Sequence, residues 1–121
     1  MEIIIYGTQE DYKTVIDHME ALSALQYRRI DCVHAKSYDD FLHLLHTKWH
    51  DLVIVLADGA EGMEGIIASQ TLCPDTMRIW ISNDEGFGIQ AHRMNCAYFA
   101  VKPITADTVF KVCRACRICG W

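Results

Sequence analysis

The sequence predicts an α/β fold in which helices cover both faces of a five-stranded parallel sheet. Five short runs rich in β-branched and aromatic residues alternate with segments whose apolar residues recur at helical spacing, as in repeated βαβ units. The predicted strands are 2–7, 28–35, 51–57, 77–82 and 97–101. With 121 residues, the chain is expected to form one domain, residues 1–121, that is large enough for a full hydrophobic core.

The first helix is predicted to follow Gly7. Thr8 can cap it, and Asp11 lies three residues further on, as in a capping box. The apolar positions of this helix are Tyr12, Val15, Ile16, Met19, Leu22 and Leu25. Their spacing predicts a single apolar stripe that faces the sheet.

The next segments predict an edge strand, a helix and a central strand. Segment 28–35 alternates imperfectly, which favours a strand at or near an edge of the sheet. Ser37 and Asp40 repeat the capping pattern before a helix that places Phe41, Leu44 and Leu45 on one face. Segment 51–57 is apolar at almost every position, which is typical of a strand in the middle of a parallel sheet.

Glycine and proline divide the second half of the chain. Glycines 59, 62 and 65 predict a flexible turn, followed by a third helix from Gly65 to about Leu72 that Pro74 ends. A short fourth helix is predicted over 89–94, and Trp80 is expected in the core. The last helix is expected to begin near Thr105 and to bury Val109, Val112, Cys113 and Cys116.

Composition limits the function classes. The net charge is −5 and the isoelectric point is about 5.6, which argues against direct nucleic-acid binding because such binding usually needs a basic surface. No apolar run approaches the roughly 18 residues of a membrane span, and the first residues do not resemble a signal peptide. We therefore expect a cytoplasmic protein with reduced thiols, without a cofactor and without membrane contact.

Two short segments carry a resemblance to a known family. Segment 96–105, CAYFAVKPIT, ends an apolar strand with Lys102 and Pro103, and segment 62–65, GMEG, follows the third strand. Together with the order and spacing of the elements, they make the whole chain resemble the receiver domains of response regulators. The resemblance implies a flavodoxin-like (βα)5 fold with strand order 2-1-3-4-5 and a role in two-component signal transduction.

The resemblance also implies a site beyond the carboxyl ends of the strands. A receiver holds Mg²⁺ with two acidic residues after strand one and accepts a phosphoryl group on an aspartate that ends strand three. Here the acidic pair aligns with Gly7 and Thr8, so the usual Mg²⁺ site is expected to be missing. The acceptor position falls on Leu56 or Ala57, depending on the alignment, and Asp58 follows one or two residues later.

Other receiver positions are retained. Ser82 and Lys102 match the hydroxyl and the ammonium that bind phosphoryl oxygens, and Phe99 matches the aromatic residue that changes position on activation. Glu10 and Asp11 are assigned to the first helical turn rather than to the acidic pair. The resemblance therefore implies an atypical receiver, or pseudo-receiver, with a degenerate phosphorylation site.

From these positions we predict a non-enzymatic signalling module that acts mainly by protein–protein interaction. The resemblance implies a contact surface formed by helix four, strand five and helix five, with a kinase, a transcription factor or a second copy of the chain as partner. One alternative is a phosphorelay receiver phosphorylated at Asp58 in an altered geometry. Another is a thiol or metal sensor that uses Cys113, Cys116 and Cys119.

The three cysteines lie within one arc of the predicted last helix, which they share with Val109 and Val112. Because structural zinc sites normally need four Cys or His ligands, buried core thiols are the favoured interpretation. His43, His46 and His50 are predicted to form a solvated helix face rather than a metal site.

A flavin-binding interpretation of the segment after strand one is weaker. Gly7 and Thr8 suit a phosphate-binding loop, but Glu10 and Asp11 would repel the phosphate.

Overall fold

The computed structural model describes residues 1–22 and 29–116, which form a single α/β sandwich. Its strands are β1 (Glu2–Tyr6), β2 (Asp31–Ala35), β3 (Leu52–Val55), β4 (Met77–Ser82) and β5 (Tyr98–Val101). Its helices are α1 (Gln9–Ala21), α2 (Tyr38–Thr47), α3 (Gly59–Leu72), α4 (Gly88–Arg93) and α5 (Ala106–Ala115), and a 3₁₀ turn, Glu85–Phe87, precedes α4.

All strand pairs are parallel, and the sheet order is β2-β1-β3-β4-β5. The predicted fold and strand order are therefore confirmed. β3 lies in the middle of the sheet and is buried along its whole length, as its uninterrupted apolar sequence predicts.

Each face of the sheet has its own apolar core because successive strand residues point to opposite sides. Ile3 and Ile5 face the layer that contains α1 and α5, whereas Ile4 and Tyr6 face the layer that contains α2, α3 and α4. Trp80 is fully buried on the second face, as predicted.

The predicted helix stripes are largely confirmed. In α1, Val15 and Met19 are buried, while Tyr12 and Ile16, together with Leu22 just after the helix, pack at the edge of the same core. The α5 residues that were predicted to be buried are buried: Val109, Val112, Cys113 and Cys116. Leu25 of the predicted α1 stripe lies outside the described residues.

Three helices begin with the predicted caps. The hydroxyls of Thr8 and Ser37 accept hydrogen bonds from the backbone N–H groups of Asp11 and Asp40, each at 3.1 Å. Thr105 forms a reciprocal capping box at the start of α5. These hydrogen bonds satisfy backbone donors that the first helical turn cannot satisfy itself.

The prediction that the third helix begins near Gly65 is wrong, because α3 begins at Gly59 and Asp58 occupies its N-cap position. A Cβ atom on Gly62 would overlap the carbonyl oxygen of Ala57 and lie 3.2 Å from Nε1 of Trp80. Gly62 therefore permits close packing of a helix on the sheet, rather than marking a flexible turn.

Within the described part of the chain, none of the helices combines the length and the hydropathy that are needed to cross a membrane.

Candidate functional site

The carboxyl ends of the strands form a crevice in which an ammonium group lies between two carboxylates. Nζ of Lys102, just after β5, lies 2.6 Å from Oδ2 of Asp11 and 2.8 Å from Oδ1 of Asp58. Asp11 belongs to the first turn of α1, and Asp58 precedes α3. The three side chains, which we call the crevice triad, connect three separate parts of the chain.

The crevice triad is only partly exposed to solvent. The exposed fraction of the side chain is 15% for Lys102, 26% for Asp11 and 45% for Asp58. Burial alone would lower the pKa of Lys102, but the hydrogen bonds and charges of the two aspartates outweigh burial, so this pKa lies above its usual value. The ammonium is therefore held in its charged form by two counter-charges.

Asp11 is the site residue that the sequence analysis did not place in the crevice. Its predicted position in the first helical turn is confirmed. Its backbone N–H donates to the Thr8 hydroxyl, while its carboxylate accepts from Lys102 instead of closing a capping box. An acidic residue three positions after a cap therefore had two possible uses, and only the fold shows which one applies.

Apolar packing replaces carboxylates at the first strand end. A Cβ atom added to Gly7 would lie 2.7 Å from the Cβ atom of Leu56, far closer than normal contact. Leu56 is fully buried in the core beneath α1 and α5. Together with Thr8, which caps α1, these positions place no carboxylate where the resemblance expects the acidic pair and the acceptor.

Ser82 ends β4 and is fully buried. Its hydroxyl accepts a hydrogen bond from the backbone N–H of Asp84 at 3.1 Å, and its carbonyl accepts from the backbone N–H of Lys102 at 2.8 Å. In this structure Ser82 therefore stabilises the turn after β4 and the pairing with the end of β5.

Phe99 is half-buried and turned towards the core. Its ring contacts Trp80 edge-on at a centroid distance of 5.6 Å, and Trp80 stacks on Phe87 at 5.1 Å. Such aromatic pairs add stability beyond the apolar area that they bury. The aromatic position of the resemblance is thus part of a cluster beneath α4.

The resemblance to receiver domains implies a bound Mg²⁺, and the residues at the positions of the acidic pair and the acceptor do not fit that ion. Mg²⁺ prefers octahedral oxygen coordination with at least one free carboxylate. Here Gly7, Thr8 and Leu56 offer none, and Asp11 and Asp58 each direct one oxygen to the Lys102 ammonium. In residues 1–22 and 29–116, no group of three or more His, Cys, Asp or Glu side chains is arranged to hold a metal ion.

Two of the three candidate cysteines, Cys113 and Cys116, lie away from the crevice. Cys113 and Cys116 are buried in the core of α1 and α5. Burial, followed by the charge of Cys113, raises the pKa of Cys116 to about 12, so its reactive thiolate form is disfavoured. Cys119 lies outside the described residues.

The histidine prediction is confirmed in part. His43 and His46 are exposed on α2, as expected for a solvated face. The prediction is wrong for His50, which lies beyond the end of α2 and is buried, with its Nδ1 atom 2.8 Å from the carbonyl oxygen of Lys48. The helix ends at Thr47, so a helical spacing no longer applies at residue 50.

Solved structures with this fold include several response-regulator proteins. A response regulator from Thermotoga maritima is 19% identical with a TM-score of 0.73, and the match covers 99% of this chain and 98% of that one. The receiver domain of Francisella response regulator 1452 is 14% identical with a TM-score of 0.72, covering 98% and 96%.

A protein from another context is also similar. A putative CpaE2 pilus assembly protein from Sinorhizobium meliloti 1021 is 21% identical with a TM-score of 0.67, covering 95% of this chain and 99% of that one. No protein-family profile and no curated protein matches the sequence. At these identities the likeness establishes the receiver-type fold alone.

Proposed function

We propose that this chain is a receiver-like signalling module that acts by protein–protein contact and does not depend on Mg²⁺-dependent aspartyl phosphorylation. The observation that carries the proposal is the crevice triad, in which the Lys102 ammonium is shared by Asp11 and Asp58. A carboxylate attacks an anionic phosphoryl group efficiently only when cations neutralise the developing charge. Here two carboxylates share one ammonium, and the positions of the acidic pair hold Gly7 and Thr8.

Incubation with acetyl phosphate and Mg²⁺, followed by intact mass measurement, tests this independence. We expect the unmodified mass for the wild-type chain. The matched variants are Asp58→Asn and Asp75→Asn, since Asp75 is an exposed aspartate in the loop before β4. An adduct of one phosphoryl group in the wild type and in Asp75→Asn, but not in Asp58→Asn, would overturn the proposal.

The contact between Asp58 and Lys102 favours a second candidate function, acceptance of a phosphoryl group at Asp58. Oδ1 of Asp58 lies 2.8 Å from the Lys102 ammonium, and the side chain is 45% exposed, so a phosphodonor can reach it. This candidate requires a phosphoryl adduct in the wild type and in Asp75→Asn, but not in Asp58→Asn.

The proposed contact surface consists of α4, β5 and α5. It carries two exposed apolar side chains, since Ile89 is 65% exposed and Val101 is 41% exposed. We propose that these side chains take part in the contact, because exposed apolar patches mark sites of interaction with other proteins. The proposed partner is a kinase, a transcription factor or a second copy of this chain.

The contact surface is tested with Ile89→Asp and with the control Ile67→Asp, which changes a 43% exposed isoleucine on α3. Self-association is measured by sedimentation over a range of concentrations, and other partners by comparative capture from the native host. We expect Ile89→Asp to lose the interaction and Ile67→Asp to keep it. Equal binding by both variants would place the contact elsewhere.

A further inference from the structure

A cavity of about 620 Å³ opens next to the crevice triad. Its walls are the end of β1, the connection from β2 to α2, and the connection from β3 into α3. The strand order changes direction between β1 and β3, and open α/β sheets bind ligands at such a switch point. The cavity lies within the range of small-ligand pockets.

The cavity is acidic. Four of its described lining residues carry carboxylates, and Lys36 is a lysine at the rim. Two of the carboxylates, Asp11 and Asp58, bind Lys102. The other two, Glu61 and Glu64, are exposed, lie three residues apart on α3, and have no ion-pair partner in the described part of the chain. Such a cavity repels phosphate and attracts cations.

A buried tyrosine provides an independent indication of a ligand. Tyr6 is only 3% exposed, its ring stacks on Phe41 at a centroid distance of 4.8 Å, and it lines the cavity. Among residues 1–22 and 29–116, its hydroxyl has no hydrogen-bond partner. The hydroxyl keeps some contact with solvent, since it is not one of the fully buried unpaired polar atoms, and it is therefore available to a molecule that enters the cavity.

Tyr6 lines the same cavity as Glu61 and Glu64, and their charges act on its hydroxyl. Burial, followed by the charges of Glu61 and Glu64, raises the pKa of Tyr6 to about 12. The hydroxyl therefore stays protonated and neutral at physiological pH. Tyr38, half-buried in the same wall, adds an aromatic side chain that can contact a cation or its alkyl chain.

We propose that this cavity binds an organic cation of the alkylguanidinium type, with its charge at Glu61 and Glu64 and an N–H group that donates to the Tyr6 hydroxyl. A guanidinium carries several donors in one plane, which suits two carboxylates and a hydroxyl oxygen. The group has two possible sources, a free small molecule or an arginine side chain of a partner protein. The site is independent of the signalling role proposed above.

Calorimetric titration with n-butylguanidine tests the site, and n-butylurea serves as an uncharged probe of nearly the same shape. We expect n-butylguanidine to bind and n-butylurea to bind at least about tenfold more weakly, because charged hydrogen bonds contribute more than neutral ones. Equal affinities for the two probes, or no binding of n-butylguanidine, would overturn the proposal.

Variants locate the binding. The double variant Glu61→Gln, Glu64→Gln is expected to lose about tenfold in affinity for n-butylguanidine, and Tyr6→Phe about threefold to tenfold through the lost hydrogen bond. Glu20→Gln, which removes an exposed charge near the end of α1, is the control and should bind like the wild type. Circular dichroism checks that each variant is folded. Wild-type affinity in the double variant would refute the assignment.

A blocked tripeptide, acetyl-Gly-Arg-Gly-amide, distinguishes the two sources. Tighter binding of the peptide than of n-butylguanidine supports a partner's arginine, because neighbouring backbone groups then contribute to the affinity. Tighter binding of n-butylguanidine supports a free small molecule. In both cases the affinity must fall in the Glu61→Gln, Glu64→Gln variant, and a peptide that binds this variant unchanged counts against the site.

Discussion

The two sides of the crevice differ in how they are built. On the side of β4 and β5, the residues at the strand ends are polar, with Ser82 as the last residue of β4 and Lys102 just after β5. On the side of β1 and β3, the ends of the strands are apolar, with Gly7 packed against Leu56. The negative charges on this second side come from Asp11 and Asp58, which lie after the strands rather than at their ends.

This difference shows that the charge of Lys102 is balanced by carboxylates that do not lie at the strand ends. A half-buried ammonium needs nearby counter-charges, since an uncompensated charge away from water is costly. The chain provides those charges from the first turn of α1 and from the residue before α3. The two aspartates balance the charge of the Lys102 ammonium. The strand ends themselves still lack the carboxylates that a divalent ion would require.

The largest expected effect on stability comes from adding a single methyl group at Gly7, on the apolar side of β1 and β3. Gly7→Ala places a Cβ atom 2.7 Å from the Cβ atom of Leu56, and both belong to closely packed strand ends. We expect a loss of about 3 kcal/mol in the free energy of unfolding, at the upper end of the range for overpacking. Denaturant unfolding measures it.

Gly88→Ala is the matched control for Gly7→Ala. A Cβ atom on Gly88 would lie 3.8 Å from the Phe99 ring, an ordinary contact, and the backbone at Gly88 is already helical. This variant should be neutral or slightly more stable than the wild type, because alanine loses less backbone entropy on folding than glycine. A Gly7→Ala variant as stable as Gly88→Ala would show that the side of β1 and β3 is not tightly packed.

The next largest effect on the free energy of unfolding is expected on the side of β4 and β5, which carries Lys102. Lys102→Met removes the ammonium and leaves Asp11 and Asp58 facing each other in a half-buried crevice. We expect a loss of about 2 kcal/mol, less than for a fully buried pair because the aspartates are partly exposed. Lys111→Met, which breaks an exposed pair with Asp107 on α5, should change stability little. A similar small change in Lys102→Met would mean that the crevice triad does not stabilise the fold.

Sequence patterns were sufficient for the parts of the fold that depend on local periodicity. The uninterrupted apolar segment of β3 indicated a central strand, and the caps at Thr8, Ser37 and Thr105 marked the starts of their helices. In these cases each residue has one physical use, so its type and spacing are informative.

The parts that sequence patterns missed involve residues with two possible uses. The sequence predicts a flexible turn at Gly62, but this residue permits close packing between α3 and the sheet. The spacing predicts a helix-start position for Asp11, yet its carboxylate binds Lys102, 91 positions away in the sequence. Spacing along the chain carries no information on such a pairing, because only the assembled sheet brings the two groups together.

A smaller effect should distinguish the two carboxylates of the crevice triad. Asp11 is 26% exposed and its oxygen lies 2.6 Å from the Lys102 ammonium, whereas Asp58 is 45% exposed at 2.8 Å. Asp11→Asn is therefore expected to cost about 1 kcal/mol and Asp58→Asn less than about 0.5 kcal/mol, since exposed ion pairs contribute little. Unfolding at low and high salt measures both. A larger cost for Asp58→Asn would make the β3 side the main partner of Lys102.

The smallest effect is the change of Lys102 stabilisation with pH. The pKa of Lys102 is raised in the folded chain above its unfolded value of 10.5. Its contribution is therefore complete below pH 10.5 and is lost as the pH rises through the folded pKa. The stability difference between the wild type and Lys102→Met should narrow above pH 10.5, in unfolding measured from pH 8 to 12.

Lys102→Arg, which stays charged throughout this range, should not show this loss relative to Lys102→Met. A constant difference between wild type and Lys102→Met up to pH 12 would mean that packing of the lysine side chain, rather than its charge, holds the crevice together.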